Sequence, residues 1–353
     1  MSAQTDTRVL DLFGIELPII QAPMAGASTP EMAIAVSEAG GLGSLPSALY
    51  TTAELRQSLD AVRAGTRRPI NVNFFCHTEP PDDSARQAAW RHRLAPYYVE
   101  AGLDPDMPLP TIGRAPFNDD FCAIVEEYRP EVVSFHFGLP PAPLVDRVKQ
   151  SGAKIICSAT TVAEARWLEK HGVDAVIAMG AEAGGHRGSF LTDDMTTQIG
   201  TIALVPQVVD AVAVPVIAAG GIVDRRGVAA ALALGAVAVQ VGTAYLFTPE
   251  AKISRVYRNA LNSPDRTTAI TNLFTGRPAR GIVNRLMSEV GALSDLAPAF
   301  PTAGSALGPL RSAAEADRRD DFSPLWAGQS FALATPMSAA ELTRSLAAHG
   351  ARR

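Results

Sequence analysis

Cysteine is scarce in this chain of 353 residues, and the few cysteines show no pairing pattern. Cys76, Cys122 and Cys157 are odd in number, and none belongs to a CxxC pair. This usage excludes a disulfide framework and is typical of reduced thiols in a cytosolic protein. We therefore expect a cytoplasmic location.

Long apolar runs are also absent. No uninterrupted run approaches the roughly 18 residues that a membrane-spanning helix needs. Residues Met1 to Arg8 are polar and lack the apolar centre of a signal peptide. Charged residues make up only 19% of the chain, and the formal net charge is −5. The sequence therefore predicts a soluble protein that has neither a membrane nor a nucleic acid as its partner.

Several catalytic signatures are missing as well. There is no HExxH motif and no His/carboxylate cluster, so we expect no metal site. No Walker A lysine follows a glycine turn, and no Gly-x-Ser-x-Gly nucleophile elbow occurs. Apolar residues, in contrast, make up 47% of the chain, which is enough for a sizeable buried core.

Short apolar runs alternate with helical segments over residues 1–247. This alternation predicts an α/β fold, a (β/α)8 TIM barrel. Within it, Thr161 and Glu164 have the spacing of a capping box at the start of a helix over 161–170. The predicted strands are 17–21, 40–45, 69–75, 132–135, 154–157, 175–179, 216–219 and 238–241.

Two regions depart from this alternation. Residues 77–118 contain many prolines and one charged helix, and are too long for an ordinary loop, so they predict an excursion from the barrel. After residue 247 the strand signals disappear. Residues 248–324 predict an additional, mostly helical cap that serves as a substrate domain. The segment 325–353, with a helix over 338–349, is expected to return to the barrel.

Glycine-rich turns follow the last two predicted strands. One contains Gly220 and Gly221, and the other contains Gly242 and Thr243. Glycine allows the close backbone approach that a phosphate needs, and in TIM barrels the phosphate site usually lies on these two loops. The alternative is a pair of tight turns without a ligand. We favour a phosphate site.

A histidine lies on the loop after the sixth predicted strand. His186 stands between Gly184-Gly185 and Gly188, and a histidine with a pKa near about 6.5 can accept a proton at neutral pH. Catalytic groups of TIM barrels lie on these loops. Either His186 is catalytic, or it is a loop histidine satisfied by the backbone.

Other polar residues admit two interpretations each. Asn73 ends a strand, where it either faces the barrel mouth or forms a turn. His136 ends the fourth strand and points towards the same face, where it either contacts a cofactor or substrate or has no such contact. Arg277 and Arg280 either bind an anion or belong to a solvated loop. The remaining histidines are expected at the surface or at helix ends: His77, His92, His171 and His349.

Taken in order, the motifs resemble the nitronate monooxygenases, formerly called 2-nitropropane dioxygenases. The resemblance covers nearly the whole chain, from Leu17 to Gln329. It is carried by Gln21-Ala22-Pro23-Met24-Ala25-Gly26, Glu182-Ala183-Gly184-Gly185-His186, Ala218-Ala219-Gly220-Gly221-Ile222, Gln240-Val241-Gly242-Thr243, Phe274-Thr275-Gly276-Arg277-Pro278-Ala279-Arg280-Gly281 and Trp326-Ala327-Gly328-Gln329.

The resemblance implies an FMN-dependent barrel that oxidises alkyl nitronates, and sometimes nitroalkanes, with O2 to carbonyl compounds and nitrite. His186 corresponds to the family's catalytic histidine, which acts either as a base or as a group that binds the anionic nitro oxygens. The implied FMN contacts are Ala22, Pro23, Met24, Asn73, Gly184, Gly221, Gln240, Val241, Gly242 and Thr243.

One position departs from the family pattern. The family commonly has a glutamine after the sixth strand, where this chain has Met179. A glutamine can hydrogen-bond the edge of the flavin ring, whereas a thioether barely can. Either Met179 alters the tuning or position of the flavin, or it is simply the end of a strand and has no effect.

Two rival functions remain at this stage. Related barrels use NAD(P)H to reduce quinones or enoyl thioesters through FMN. A flavin-binding scaffold without turnover is the second rival, and the intact glycines around His186 argue against it. The expected partners are a small nitronate or nitroalkane and O2, and the sequence leaves a homodimer open.

Overall fold

The computed structural model describes residues 7–110 and 114–348. His349, which the sequence placed at a helix end, lies outside the described residues. The strands of the barrel region are β1 (Ile19–Gln21), β2 (Gly43–Pro46), β3 (Ile70–Phe75), β4 (Val132–His136), β5 (Lys154–Ala159), β6 (Ala175–Met179), β7 (Gly185–His186), β8 (Val216–Ala219) and β9 (Ala238–Val241).

Every one of these strands except β7 belongs to one parallel sheet of eight strands. Their order is β1-β9-β8-β6-β5-β4-β3-β2, and a parallel bridge between Ile20 and Leu42 joins the two ends of the sheet. The predicted TIM barrel is therefore confirmed, and each predicted strand has its counterpart. The helices of this region are α1 (Arg8–Phe13), α2 (Pro30–Glu38), α3 (Thr52–Gly65), α4 (Ser84–Glu100), α5 (Asp119–Tyr128), α6 (Ala142–Gln150), α7 (Val162–Lys170), α8 (Thr201–Val209) and α9 (Arg225–Ala233).

The strands are apolar on both faces because two cores lie against them. Alternate residues of a strand point to opposite sides. Ile19 packs in the core between sheet and helices, whereas its neighbour Ile20 packs in the interior of the barrel. Helix α1, which the sequence analysis did not predict, adds Val9 and Phe13 to the interior core. This leaves the opposite, carboxyl end of the strands for a site.

The start of α7 differs from the prediction. Thr161 does cap the helix, since its side chain accepts from the N–H of Glu164. The Glu164 carboxylate, however, accepts from the N–H and hydroxyl of Thr160, at 2.7 and 2.8 Å, and not from the N–H of Thr161. The predicted capping box is therefore wrong. The other carboxylate oxygen of Glu164 accepts from the N–H of Phe190 at 2.7 Å. This buried carboxylate therefore connects α7 to the loop after β6.

The cap contains strands that the sequence did not predict. Strands β10 (Thr268–Thr271) and β11 (Ala279–Ile282) form an antiparallel pair, and β11 also pairs with β7. The expectation that strand signals end at residue 247 was therefore wrong. A strand as short as β7 depends on its partner for hydrogen bonds, and local sequence does not reveal a partner so distant. The helices of this part are α10 (Arg255–Leu261), α11 (Arg285–Val290), α12 (Gly308–Ala316) and α13 (Ala339–Ala347), with short 3₁₀ turns at Thr243–Phe247, Thr302–Leu307 and Phe331–Leu333.

Helix α4 of the 77–118 excursion packs on this cap. Trp90 and Tyr98 are buried in a cluster with Leu273 and Leu310. The indole of Trp90 donates to the carbonyl of Ala303 at 3.1 Å. We therefore propose that the excursion and the cap form one unit, although the sequence analysis placed the excursion with the barrel.

The C-terminal segment packs back onto the barrel. The N–H of Gly328 donates to Thr243 Oγ1 at 2.9 Å, and the N–H of Gln329 donates to the carbonyl of Glu182 at 3.0 Å. Farther along, Tyr245 and Thr343 share a buried hydrogen bond of 2.8 Å. Among the described residues, no helix combines the length and apolar character needed to cross a lipid bilayer.

Candidate functional site

A cavity of about 340 Å³ lies at the carboxyl ends of the barrel strands. Ligand pockets in proteins range from about 300 to 1,000 Å³, so the cavity can hold a cofactor-sized molecule. Of the predicted site residues, only Val241 is absent from the wall, and it is buried in the core between sheet and helices. Those that line the wall are Ala22, Pro23, Met24, Asn73, His136, Met179, Gly184, His186, Gly220, Gly221, Gln240, Gly242 and Thr243.

The turn after β8 has a backbone that favours glycine. Gly220 and Gly221 have φ values of 119° and 70°, in the region that side chains rarely adopt. Two side chains hold this turn in place. The Glu182 carboxylate accepts from the N–H of Thr201 at 2.8 Å. The single hydroxyl hydrogen of Thr201 lies between that carboxylate and the carbonyl of Gly220, at 2.8 and 3.0 Å from Oγ1. The turn is thus fixed before any ligand binds.

Two features of the wall suit a flavin nucleotide. A Cβ added at Gly242 would meet only Ala22 and Met24, at 3.4 and 3.7 Å, and both of these residues also line the cavity. The position is therefore open on the cavity side, as close approach of a ligand requires. Gln240 Oε1 is buried and has no hydrogen-bond partner in the described part of the chain. An isoalloxazine ring carries an N–H group that such an acceptor can bind.

Gly184 has a structural role beside any contact with a cofactor. A Cβ at this position would lie 2.5 Å from the backbone nitrogen of Gly328 and 2.6 Å from the carbonyl carbon of Ala327. The two motifs around Gly184 and Gly328 are therefore packed directly against each other. This contact explains why the C-terminal motif accompanies the glycine loop.

The backbone of His186 is held by the cap sheet and its ring by a threonine. His186 pairs with Ala279 in the antiparallel sheet, and its Nε2 lies 2.9 Å from Thr275 Oγ1. The Thr275 hydroxyl has the carbonyl of Arg277 as an acceptor, so Oγ1 is free to accept from His186 Nε2–H. The lone pair of the neutral ring is then on Nδ1. The ring of Trp326 lies 5.4 Å away between centroids.

Burial lowers the pKa of His186 well below its ordinary value of 6.5, because the charged imidazolium is poorly solvated there. Repulsion from nearby cations lowers it further. The imidazole is therefore neutral at physiological pH and can accept a proton. These cations are the guanidinium groups of Arg114 and Arg277.

His136 lines the cavity, but both of its ring nitrogens are engaged by the protein. Nε2 lies 3.1 Å from the carbonyl of His186, which can only accept, so Nε2 carries the hydrogen. Nδ1 then accepts from the hydroxyl of Ser158 at 3.1 Å. Burial lowers the pKa of His136 to about 4. His136 thus anchors the loop that carries His186, and its contact with substrate stays a prediction.

Sequence reasoning missed the buried Arg187, which is fully inaccessible to solvent. Its guanidinium donates to the carbonyls of Met179 and Gly180, both at 2.7 Å, and to Gln198 Oε1 at 2.8 Å. Burial lowers its pKa to about 10. The arginine next to His186 therefore clamps the end of β6 to the loop. The position of Arg187 among glycines could have indicated a role in the loop. It was not used because arginine is normally a surface residue.

Three basic residues lie elsewhere than expected. Arg280 is buried and donates to the carbonyl of Ala181 at 2.8 Å, and the guanidinium of Arg277 lies 4.0 Å from the ring centre of Phe137. Neither belongs to a solvated loop, and neither lines the cavity. His77, expected at the surface or at a helix end, is buried beside Phe300. The expectation for His77 was wrong, because a proline-rich stretch gave no burial signal. His92 and His171 are exposed as expected.

A further cavity residue was missed altogether. Arg114 lies in the excursion, in a stretch without periodic pattern, and it lines the cavity on the side of His186. Within the described residues, no group of three or more His, Cys, Asp or Glu side chains could hold a metal ion.

Comparison with known proteins gives a consistent result. A model of the family described as nitronate monooxygenase matches residues 6–349. The chain is 44% identical over 342 residues to a nitronate monooxygenase of Pseudomonas aeruginosa, covering 96% of this chain and 97% of the relative. It is 42% identical over 350 residues to a nitronate monooxygenase of Paraburkholderia phytofirmans, covering 98% and 96%.

Solved structures agree with these relatives. A nitroalkane oxidase from Streptomyces ansochromogenes has a TM-score of 0.87 and 39% sequence identity, with 96% of each chain covered. FabK from Thermotoga maritima is less similar, with a TM-score of 0.72 and 30% identity over 97% of this chain and 95% of that one.

Proposed function

The chain belongs to the nitronate monooxygenase family of flavin-dependent oxidoreductases, and we propose that it uses FMN and O2 to convert alkyl nitronates to carbonyl compounds and nitrite. The observation that carries this proposal is the imidazole of His186, held by Thr275 on the wall of a cavity that glycine turns leave open. A base or polar anchor beside a flavin site is what oxidation of a nitro compound needs.

FMN fits the wall residues described above. Gly220, Gly221, Gly242 and Thr243 would hold the phosphate at the ends of β8 and β9, where TIM barrels bind phosphate. Gln240 would accept from the ring, and Met179 would contact it without a strong hydrogen bond. When bound, the flavin supplies the redox chemistry by taking electrons from the nitronate and passing them to O2.

His186 would serve a neutral nitroalkane as a general base. Its Nδ1 carries the lone pair, because Thr275 accepts the hydrogen on Nε2. The proton beside the nitro group would move to Nδ1, and the resulting nitronate would then be oxidised. A nitronate supplied directly needs no such step. His136, Arg187 and the cap sheet keep the loop in place.

The test compares two reductants with the FMN-loaded protein. Under anaerobic conditions we expect ethyl nitronate to bleach the flavin rapidly and NADH or NADPH to bleach it slowly. In air, ethyl nitronate should cause oxygen uptake and release of nitrite. The likeness to FabK makes a nicotinamide-dependent reductase the alternative. Rapid bleaching by NADPH together with inertness to nitronate would favour that alternative.

The pH dependence follows from the lowered pKa of His186. A lowered pKa keeps the imidazole neutral at pH values where a free histidine is protonated, so the base is lost only when pH falls through the folded-state pKa. We therefore expect the acid limb of kcat/KM for nitroethane to lie well below pH 6.5. The same shift should reduce stability as pH falls below about 6.5, because the unfolded chain then binds a proton that the folded chain excludes. A pH–rate profile with its acid limb at or above 6.5 would contradict this.

A further inference from the structure

Arg114 is a cation for which the described part of the chain supplies no counterion. Its side chain lines the cavity and is mostly buried, and burial lowers its pKa. Its Nε is buried without a hydrogen-bond partner, and no carboxylate among the described residues forms an ion pair with it. Its guanidinium carbon lies 5.5 Å from the centre of the Phe300 ring.

The other cations at the cavity are in a different situation. Arg311 is exposed and pairs with Glu315 at 2.9 Å, and Lys252 is exposed to water. The buried Arg187 has carbonyl and amide acceptors for its guanidinium. Leaving a buried charge unpaired is costly, and such a group is retained when a ligand supplies the missing charge. Arg114 is therefore positioned for an anion inside the cavity.

The ligand that matches Arg114 is the nitronate group itself. Its two oxygens share one negative charge in a planar arrangement, and a guanidinium presents donors in a planar fork that binds such a pair. His186 cannot supply this charge, because its imidazole is neutral. His186 and Arg114 lie near the same Phe300 ring, at 5.5 Å in each case. Both groups can therefore face one small substrate.

We propose that Arg114 binds the two oxygens of the nitronate and is a specificity-determining residue for the reaction. This inference rests on the proposed function. For a nitronate, which is anionic before it binds, Arg114 contributes to the affinity. For a nitroalkane, which becomes anionic only as the proton leaves, Arg114 stabilises the transition state.

The test pairs Arg114→Met with Arg114→Lys, because methionine removes the charge whereas lysine keeps the charge without the planar fork. For Arg114→Met we expect KM for ethyl nitronate to rise about thirtyfold with little change in kcat. For nitroethane we expect the opposite pattern, in which kcat falls and KM is unchanged. Arg114→Lys should recover part of each loss. Equal effects on both substrates, or wild-type KM for ethyl nitronate in Arg114→Met, would overturn the proposal.

Nitrate provides a readout that does not depend on turnover of the variant. It is a planar oxyanion like the nitronate group and cannot be oxidised further. Nitrate should raise the Tm of the FMN-loaded wild type and of Arg114→Lys, but not that of Arg114→Met. Without nitrate, Arg114→Met should be at least as stable as the wild type, because it removes an unpaired buried charge.

These experiments distinguish failure of the Arg114 proposal from failure of the proposed function. A lower Tm of Arg114→Met without nitrate, together with an undiminished nitrate shift, would show that Arg114 is only structural and would overturn the inference. A wild-type protein that does not oxidise any nitronate would overturn the proposed function itself. In that case, the nitrate shift would still report whether Arg114 binds a planar anion.

Discussion

Replacing His186 by asparagine is expected to lower kcat for nitroethane by about 10²–10⁴, the usual contribution of a general base. Asparagine keeps a polar side chain on the loop but cannot accept the proton. With ethyl nitronate the rate should fall much less, because that substrate arrives already deprotonated. Oxygen uptake and nitrite release with the two substrates measure this difference directly.

The control for His186→Asn is its FMN content and Tm, which should match those of the wild type. The backbone of residue 186 is held by pairing with Ala279 and not by the imidazole. Near-wild-type rates on both substrates would remove the base assignment. An equal loss on both would instead point to a role in anchoring the nitro oxygens. The Arg114→Met variant should differ from His186→Asn, because its main effect is a raised KM for ethyl nitronate.

The barrel could be predicted from sequence because its signals are local. Each parallel strand is a short apolar run buried on both faces, and glycine or a cap marks the adjoining turns. The same rules fail for β7, which is a strand only through its pairing with β11, about ninety residues away. Tertiary pairing decides such elements, and a single sequence does not contain that information in readable form.

Sequence motifs predicted most of the residues that line the candidate site. Residues whose role depends on being buried by the fold were missed. The residues expected to contact FMN or substrate, apart from Val241, line one cavity, whereas the motif over residues 274–281 lies outside its wall. The side chain of Val241 lies off the wall because adjacent residues of a strand face opposite sides and Gln240 faces the cavity. Arg114 gave no signal and Arg187 only its position among glycines, because arginine is expected at the surface. Only the fold shows that Arg187 is buried and that Arg114 lines the cavity.

Replacing Gly242 by valine is expected to weaken FMN binding by about two orders of magnitude while the fold survives. The backbone at Gly242 has φ −111°, so valine is not strained there, and its Cβ would meet only Ala22 and Met24 at ordinary contact distances. Its methyl groups would extend into the space that the phosphate needs, and an overpacked contact costs about 1–3 kcal/mol.

The control for Gly242→Val is Ala53→Val, because Ala53 is exposed on α3 and lies away from the cavity. Titrating FMN into the flavin-free proteins and following fluorescence quenching gives the two dissociation constants. We expect Ala53→Val to bind FMN as the wild type does, and both variants to unfold at a Tm close to that of the flavin-free wild type. If Gly242→Val binds FMN with unchanged affinity, the phosphate does not lie at the ends of β8 and β9. The cofactor assignment of both glycine turns would then be wrong, because the same close approach is the reason for placing the phosphate at Gly221.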